Sequence, residues 1–277
     1  MTEQVKPVQP YTTLSNGITM PLLGLGVYDM YNAEAEQAVS DALEIGYRLV
    51  DTASLYRNEK EVGNAIRQSG INRNEIFVTT KVGNGDHGFD NTLRAFDVSM
   101  KKLNIDYIDL YLVHWPIKGK RKETWLALEK LYKEKRVRAA GVANYLIPFL
   151  NELESYAAIQ PVLDQVELSP WCFNKELFDY CRKRKIQLQS YSPITRGKKL
   201  NDPRIIQLAK KYNRTAAQIV LRWNIEQGIS TIPKSSSKIR LQENFDVINF
   251  SIAAEDVAFM NTFNENFRIC DDPMLFL

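Results

Sequence analysis

Asp51, Tyr56, Lys81 and His114 supply a carboxylate, a phenol, an amine and an imidazole, and the chemistry open to such a set is proton transfer at a polarised oxygen. Each alone has a duller role. Asp51 could cap a helix, Lys81 could be a surface lysine, and a lone histidine in an apolar stretch is more often a satisfied core residue. Together they say more. Asp51 and Lys81 can pair, and an ammonium held by that carboxylate and shielded from water would stand beside the Tyr56 phenol, favour phenolate and lower a pKa that is ordinarily about 10. His114, neutral and donating from one ring nitrogen, could orient a carbonyl oxygen toward Tyr56 and stabilise the charge that develops on it. The set is suited to carbonyl reduction, with the hydride drawn from a cofactor because no side chain supplies one.

These residues need elements that bring them to one place, and the pattern of the chain supplies such elements. Asn16-Gly17 marks a hairpin turn near the start. After it, short apolar runs alternate with amphipathic stretches. Strands are expected at 22–25, 48–51, 76–80, 108–113, 137–142, 162–166, 186–191 and 229–233. A helix over 33–45 should stop at Gly46, another carries Leu93, Phe96, Met100 and Leu103 on one face, and a third surrounds Trp125, Leu128 and Leu131. Eight βα units in one run predict a parallel sheet closed into a (β/α)8 TIM barrel, an α/β fold of about 250 residues. Residues 1–277 are read as one domain. Residues 1–21 form an N-terminal arm and β-hairpin, an extra helix lies within 253–264, and 265–277 form a tail near the mouth. In such a barrel the loops at the C-terminal ends of the strands converge on one mouth. Asp51, Lys81, His114, Asn144, Gln165, Tyr191 and Lys234 end seven successive strands. Burying that many polar groups without mutual pairing would cost several kcal/mol.

Composition narrows the partners. The chain has 277 residues, is 44% hydrophobic and 25% charged, and carries a formal charge of +3. Basic clusters at 118–122, 182–185 and 196–199 read as solvated surface, because acidic residues nearly balance them and no nucleic-acid motif accompanies them. No apolar run reaches the roughly 18 residues of a membrane helix, and the first ten residues carry no apolar signal region. A cytoplasmic protein without membrane, nucleic-acid or obligate protein partner is expected. Three cysteines without a Cys-x-x-Cys pair read as free thiols, and two histidines without helical spacing give no metal site.

Four segments in order resemble the aldo-keto reductase family, and the likeness runs from the hairpin to residue 244. Gly46-Tyr47-Arg48-Leu49-Val50-Asp51-Thr52-Ala53 with Tyr56 and Asn58-Glu59 resembles the family's signature around its aspartate and tyrosine. Lys81 after Phe77-Val78-Thr79-Thr80 resembles its lysine, and 106–116, Asp106 to Pro116, resembles its histidine strand. Ile232-Pro233-Lys234-Ser235 with Arg240, Glu243 and Asn244 resembles its adenine-nucleotide segment. The resemblance implies NADPH lying across the barrel mouth, hydride transfer to an aldehyde or ketone, a small-molecule carbonyl substrate, and often a monomer. It implies that Asn144 and Gln165 hold the carboxamide and that Tyr191 stacks on the nicotinamide. The loop from Ser192 to Leu200 would follow the pyrophosphate, and Lys234, Ser235 and Arg240 would take the 2′-phosphate. Two cations beside hydroxyls at a helix start suit that phosphate on physical grounds. Tyr28 and Trp115, with Trp171 a weaker candidate, are expected as aromatic walls of the substrate pocket.

The chain departs from the family at Ala143, where a serine is usual, at Gly83, often a tryptophan, and at Ser169, often a histidine. Gly83-Asn84-Gly85-Asp86-His87-Gly88 also matches the dinucleotide pattern G-x-G-x-x-G between a strand and a helix. It follows the third strand rather than the first, and Asp90 is expected as the helix cap, so it reads as a flexible loop. Two other functions use the same residues. One is a nucleotide-binding regulatory barrel with little turnover, which Ala143 favours. The other is a Schiff-base aldolase with Lys81 as nucleophile, which the carboxylate and nucleotide segment oppose.

Overall fold

A computed structural model of the chain describes residues 9–276; the first eight residues of the expected arm, and Leu277, lie outside the described residues. The hairpin is present. Strands β1 (Tyr11–Thr13) and β2 (Thr19–Pro21) pair antiparallel, with Tyr11 opposite Pro21. Their turn needs Gly17, whose φ of 85° is costly for any residue with a Cβ. The hairpin caps one end of a barrel, since Leu14 and Met20 pack with Leu49, Phe77, Leu110, Leu112 and Leu163 in its interior.

Eight parallel strands follow: β3 (Leu25–Gly26), β4 (Leu49–Asp51), β5 (Phe77–Val82), β6 (Ile108–Val113), β7 (Val137–Ala143), β8 (Leu163–Glu167), β9 (Gln187–Tyr191) and β10 (Ser230–Thr231). Each pairs with the next in sequence order. The sheet closes where Leu23 bridges Thr231, with Thr231 N donating to Leu22 O at 2.7 Å and Gly24 N to Thr231 O at 2.9 Å. The first strand is shifted and the last is shorter than the sequence suggests. Leu22 and Leu23 are spent on this closing seam, and Pro233 has no N–H to continue the ladder.

Helices α1 (Asn32–Ile45), α2 (Glu59–Gln68), α3 (Phe89–Leu103), α4 (Arg121–Lys133), α5 (Ile147–Glu154) and α6 (Lys175–Arg184) each connect two strands. Helices α7 (Pro203–Tyr212) and α8 (Ala216–Glu226) share the last crossover, and α9 (Lys238–Phe245) and α10 (Ala254–Met260) follow the barrel. Gly46 stops α1 as expected, with φ 131° and its N–H on Ala42 O. Helix α3 is capped by Gly88 at φ 108°, and Asp90 lies in its first turn instead of at the cap. A left-handed glycine lets the chain turn sharply into the helix, while the carboxylate still meets the positive helix end.

The pleat of β8 sends Leu163 and Gln165 inward and Asp164 outward, under the helices. Asp164 is 0% exposed; among the described residues its Oδ2 has no partner, and its Oδ1 meets only Tyr145 N at 3.4 Å. Burial holds its carboxyl well above the ordinary carboxylate range. The folded protein therefore keeps a proton that the unfolded chain loses above about pH 4. Its stabilising contribution is full at acid pH and is lost as pH rises toward the folded-state value. Asp164→Asn carries no proton to be held, and should raise stability by about 1–3 kcal/mol at neutral pH, where the buried carboxyl must take one up from water. The gain should grow from pH 4 to pH 8. Thermal melts of both proteins across that range check this, and a gain that is absent or independent of pH would contradict it.

Candidate active site

The same pleat aims Asp51 of β4, Lys81 of β5 and Gln165 of β8 into the barrel, above an apolar floor that includes Leu49, Phe77 and Leu163. Lys81 Nζ donates to Asp51 Oδ1 at 2.5 Å, to Thr52 O at 2.9 Å and to Tyr56 OH at 3.3 Å. All three ammonium hydrogens are thereby engaged, and at 0% exposure the amine offers no lone pair for a Schiff base. The other oxygen of Asp51 accepts from Gln165 Nε2 at 2.7 Å. The same amide donates to Gln189 Oε1 at 2.7 Å, and Gln189 Nε2 to Ser230 Oγ at 3.0 Å. A line of hydrogen bonds thus crosses the barrel from β4 to β10, and the buried ion pair is braced from both sides.

Burial pushes the Asp51 carboxyl up and the Lys81 amine down, each shift opposed by the charge of the other. Tyr56 corrects an expectation. Burial and then the Asp51 charge, with Cys270 and Tyr28 adding, hold its pKa well above the ordinary phenol range rather than below it. The ammonium is largely neutralised by a carboxylate 2.5 Å away, so a phenolate here would meet low dielectric and a negative neighbour. His114 behaves as expected of a neutral donor. Burial and the charge of Lys81 hold it well below the usual imidazole range, and among the described residues its Nδ1 has no partner. Its ring stands 5.7 Å from that of Tyr56, edge to face, and Tyr28 meets Tyr56 from another side at 5.2 Å. Asn58 steadies the loop that carries Tyr56, donating to Val27 O and Met30 O at 2.8 and 2.9 Å.

The remaining residues of interest fall in two groups. Asn144, at φ 65° just after β7, donates to His114 O at 2.9 Å and accepts from Tyr191 OH at 2.8 Å, which joins three strand ends. Beyond Tyr191, Ser192, Thr195, Arg196 and Gly197 all have positive φ, so the loop folds tightly. Lys234 and Arg240 are exposed, and among the described residues neither has an ion-pair partner. Ser235 Oγ accepts from Ser237 N at 3.1 Å, and Ser237 caps α9. Asn244 is buried, and Glu243 accepts from Thr215 Oγ1 at 2.6 Å, which ties α9 to the start of α8.

On the other side of the mouth, Tyr28 is half exposed with Arg196 over its ring at 5.4 Å, and Trp115 stacks on Phe276 of the tail at 5.1 Å. Trp171 is not a wall of the mouth. It is 0% exposed, its Nε1 donates to Asp202 at 2.8 Å, and its carbonyl accepts from Glu265 N and Phe267 N. The glycine-rich stretch 83–88 is a short 3-10 turn and loop on a barrel strand, without the first-strand placement of a dinucleotide fold. A recess of about 920 Å³ at the hairpin end, lined by Leu14, Arg182, Gln187 and Gly228 among others, contains none of these residues.

Sequence reasoning missed Glu167. Its carboxylate accepts from Ile269 N at 2.5 Å and Cys270 N at 3.0 Å, pinning the tail beside Tyr191. Gln165 is the last polar residue of the strand expected at 162–166; β8 runs one residue further, and its period of two turns Glu167 to the same side as Gln165.

The sequence profile of the Aldo/keto reductase family matches residues 22–265. The chain is 45% identical over 261 residues to the glyoxal reductase of Bacillus subtilis, covering 94% of this chain and 95% of that one. It superposes with TM-score 0.92 and 43% identity on an aldo-keto reductase from a Medee basin deep-sea metagenome library, covering 94% of this chain and 97% of that one. With a Bombyx mori aldo-keto reductase crystallised in complex with NADP the TM-score is 0.90 at 36% identity, over 95% of this chain and 96% of the other. A closed eight-stranded barrel, a buried aspartate and lysine beside a tyrosine and a neutral histidine, and a profile match across nearly the whole chain lead to one conclusion: this chain belongs to the aldo/keto reductase family of oxidoreductases.

Proposed function

We propose that this chain reduces small aldehydes or ketones to alcohols with NADPH, using Tyr56 as the proton donor. The contact that carries the reading is Tyr56 OH at 3.3 Å from the Lys81 ammonium, facing the ring of neutral His114. A carbonyl oxygen between Tyr56 and His114 would accept hydrogen bonds from both. Tyr56 gives its proton to that oxygen, and Lys81 stabilises the phenolate left behind. The high phenol pKa is no obstacle. It keeps Tyr56 protonated while it waits, and the acid is needed only as negative charge builds on the substrate. NADPH, when bound, supplies the hydride to the carbonyl carbon, so that the two-electron reduction balances with one hydride and one proton.

The residues present suit that cofactor. Gln165 Oε1 and the second N–H of Asn144 would be left for a carboxamide. Lys234 and Arg240, without an ion-pair partner among the described residues, lie beside the capped start of an eight-residue helix, the arrangement that a 2′-phosphate needs. Among the described residues no cluster of His, Cys, Asp and Glu could hold a metal ion, and no helix is long and apolar enough to cross a membrane.

A panel of small aldehydes and ketones assayed with NADPH and NADH side by side tests this reading, with glyoxal included because a relative bears that name. Oxidation of NADPH in preference to NADH is expected. Arg240→Ala should raise KM for NADPH by about 10-fold to 100-fold, the effect of losing a charged hydrogen bond, and change KM for NADH little. Gly85→Ala, in the glycine-rich loop, should leave both unchanged. Silence across the panel would sink the reductase reading, and a cofactor defect in Gly85→Ala without one in Arg240→Ala would move the cofactor site.

A further inference from the structure

Asp51 pairs with Lys81 as a carboxylate, and a carboxylate only accepts hydrogen bonds. That fixes the direction of every bond in the line leading away from it. Gln165 must turn its Nε2 toward Asp51 Oδ2, 2.7 Å away, and the same nitrogen gives its second hydrogen to Gln189 Oε1, also at 2.7 Å. Gln189 therefore has its own Nε2 at the far end, donating to Ser230 Oγ at 3.0 Å, and the Ser230 hydroxyl donates to Pro21 O at 3.4 Å. Asp51, Gln165, Gln189 and Ser230 are each 2% exposed or less, so water does not compete along the line.

One bond to Asp51 would leave the Gln165 amide free to swing about that contact; the second, to Gln189, removes the swing. What remains of the amide is Oε1. It accepts from no group among the described residues, yet it is not sealed from solvent as the fully enclosed polar atoms are. Gln165 thus offers a ligand a single atom, and that atom can only accept. Ala143, opposite Gln165 in the sheet, adds no polar side-chain atom beside it, while the neighbouring Asn144 amide, bound to His114 O, has one N–H left. Gln189, at 0% exposure, touches no ligand itself and acts through Gln165.

We infer that Gln189 is a positioning residue for the cofactor: by fixing the Gln165 amide it makes the site demand a hydrogen-bond donor on the nicotinamide side group. This rests on the reading above that NADPH binds here with its carboxamide at Asn144 and Gln165. Of the two polar groups of a carboxamide, only the NH2 can meet Gln165 Oε1. The analogue 3-acetylpyridine adenine dinucleotide phosphate keeps the carbonyl and carries a methyl group in place of the NH2, so it and NADP+ are the probes. Isothermal titration calorimetry of the wild-type protein should show NADP+ bound about tenfold more tightly than the analogue, the scale of one hydrogen bond. In Gln189→Met, NADP+ should bind about fivefold more weakly and the analogue should change by less than about twofold, so the preference collapses. Gln189→Glu keeps an oxygen facing Gln165 Nε2 and should retain it. Ser230→Ala frees the far end of Gln189 and should shift the ratio the same way by about twofold, which decides the matter if Gln189→Met does not fold. Equal weakening of both dinucleotides, the mark of a merely structural role, overturns the inference, as does an unchanged ratio in the deciding variant or a wild type that binds both alike. If the wild-type protein binds neither dinucleotide, the cofactor reading itself fails and the inference falls with it.

Discussion

Tyr56→Phe should lower kcat by about 10²-fold to 10⁴-fold, the range expected for removal of a positioned general acid, while NADPH binds as before. The substitution removes one hydroxyl from a ring that otherwise keeps its place between Tyr28 and His114. The pocket should stay intact, and the loss should fall on kcat rather than on cofactor affinity. Steady-state assays and a titration of bound NADPH fluorescence separate the two. Because the phenol pKa is held above its ordinary value, kcat of the wild-type protein should not fall through loss of this proton until pH exceeds about 10. Turnover in Tyr56→Phe at the wild-type rate would remove Tyr56 from the chemistry. A decline in kcat traced to Tyr56 between pH 7 and 9 would show that cofactor or substrate reverses the direction of its shift.

Lys81→Met should be the most destabilising single change at the site, by about 3–5 kcal/mol, because it leaves the Asp51 carboxylate buried with Gln165 as its remaining side-chain donor. Asp51→Asn combined with Lys81→Met should regain most of that stability, since a buried ion pair costs nearly as much to desolvate as its attraction returns. Activity should return in neither variant. Urea denaturation and turnover measured on the single and double variants test both halves. The pH dependence has a definite sign. Asp51 already titrates above its ordinary value, and without Lys81 it would titrate higher still. A raised carboxyl stabilises the fold below the unfolded value of about 4 and loses that contribution as pH rises, so the cost of Lys81→Met should be smaller at pH 5 than at pH 8. A double variant no more stable than the single one would mean that the pair, not the unpaired charge, holds the site together.

Asp51, Lys81, Asn144, Gln165 and Tyr191 could be picked out before any coordinates, because each is a polar group at the end of an expected strand and a barrel gathers strand ends at one mouth. Gly46 was equally plain as a helix stop. Glu167 lay one residue beyond the expected strand, and its role was hidden because its partners, the backbone amides of Ile269 and Cys270, lie about a hundred residues further along the chain. Trp171 shows the opposite failure. An aromatic residue after an active-site strand suggested a pocket wall, and burial against Asp202 and the tail made it core.

Residue types and periodicity, which are local properties, determined the barrel, its hairpin and the four candidate groups at its mouth. Tertiary structure decided how those groups behave. Whether Lys81 lowers the Tyr56 pKa depends on how much of its charge Asp51 has already compensated and on how deeply the phenol is buried, and both are set by distances across strands. The chain order presents Asp51 and Lys81 as partners for Tyr56; the fold places carboxylate and ammonium 2.5 Å apart and leaves the phenol a firmly held proton. Desolvation and Coulomb terms act through space, and a one-dimensional pattern carries no information about them until the strands are in register.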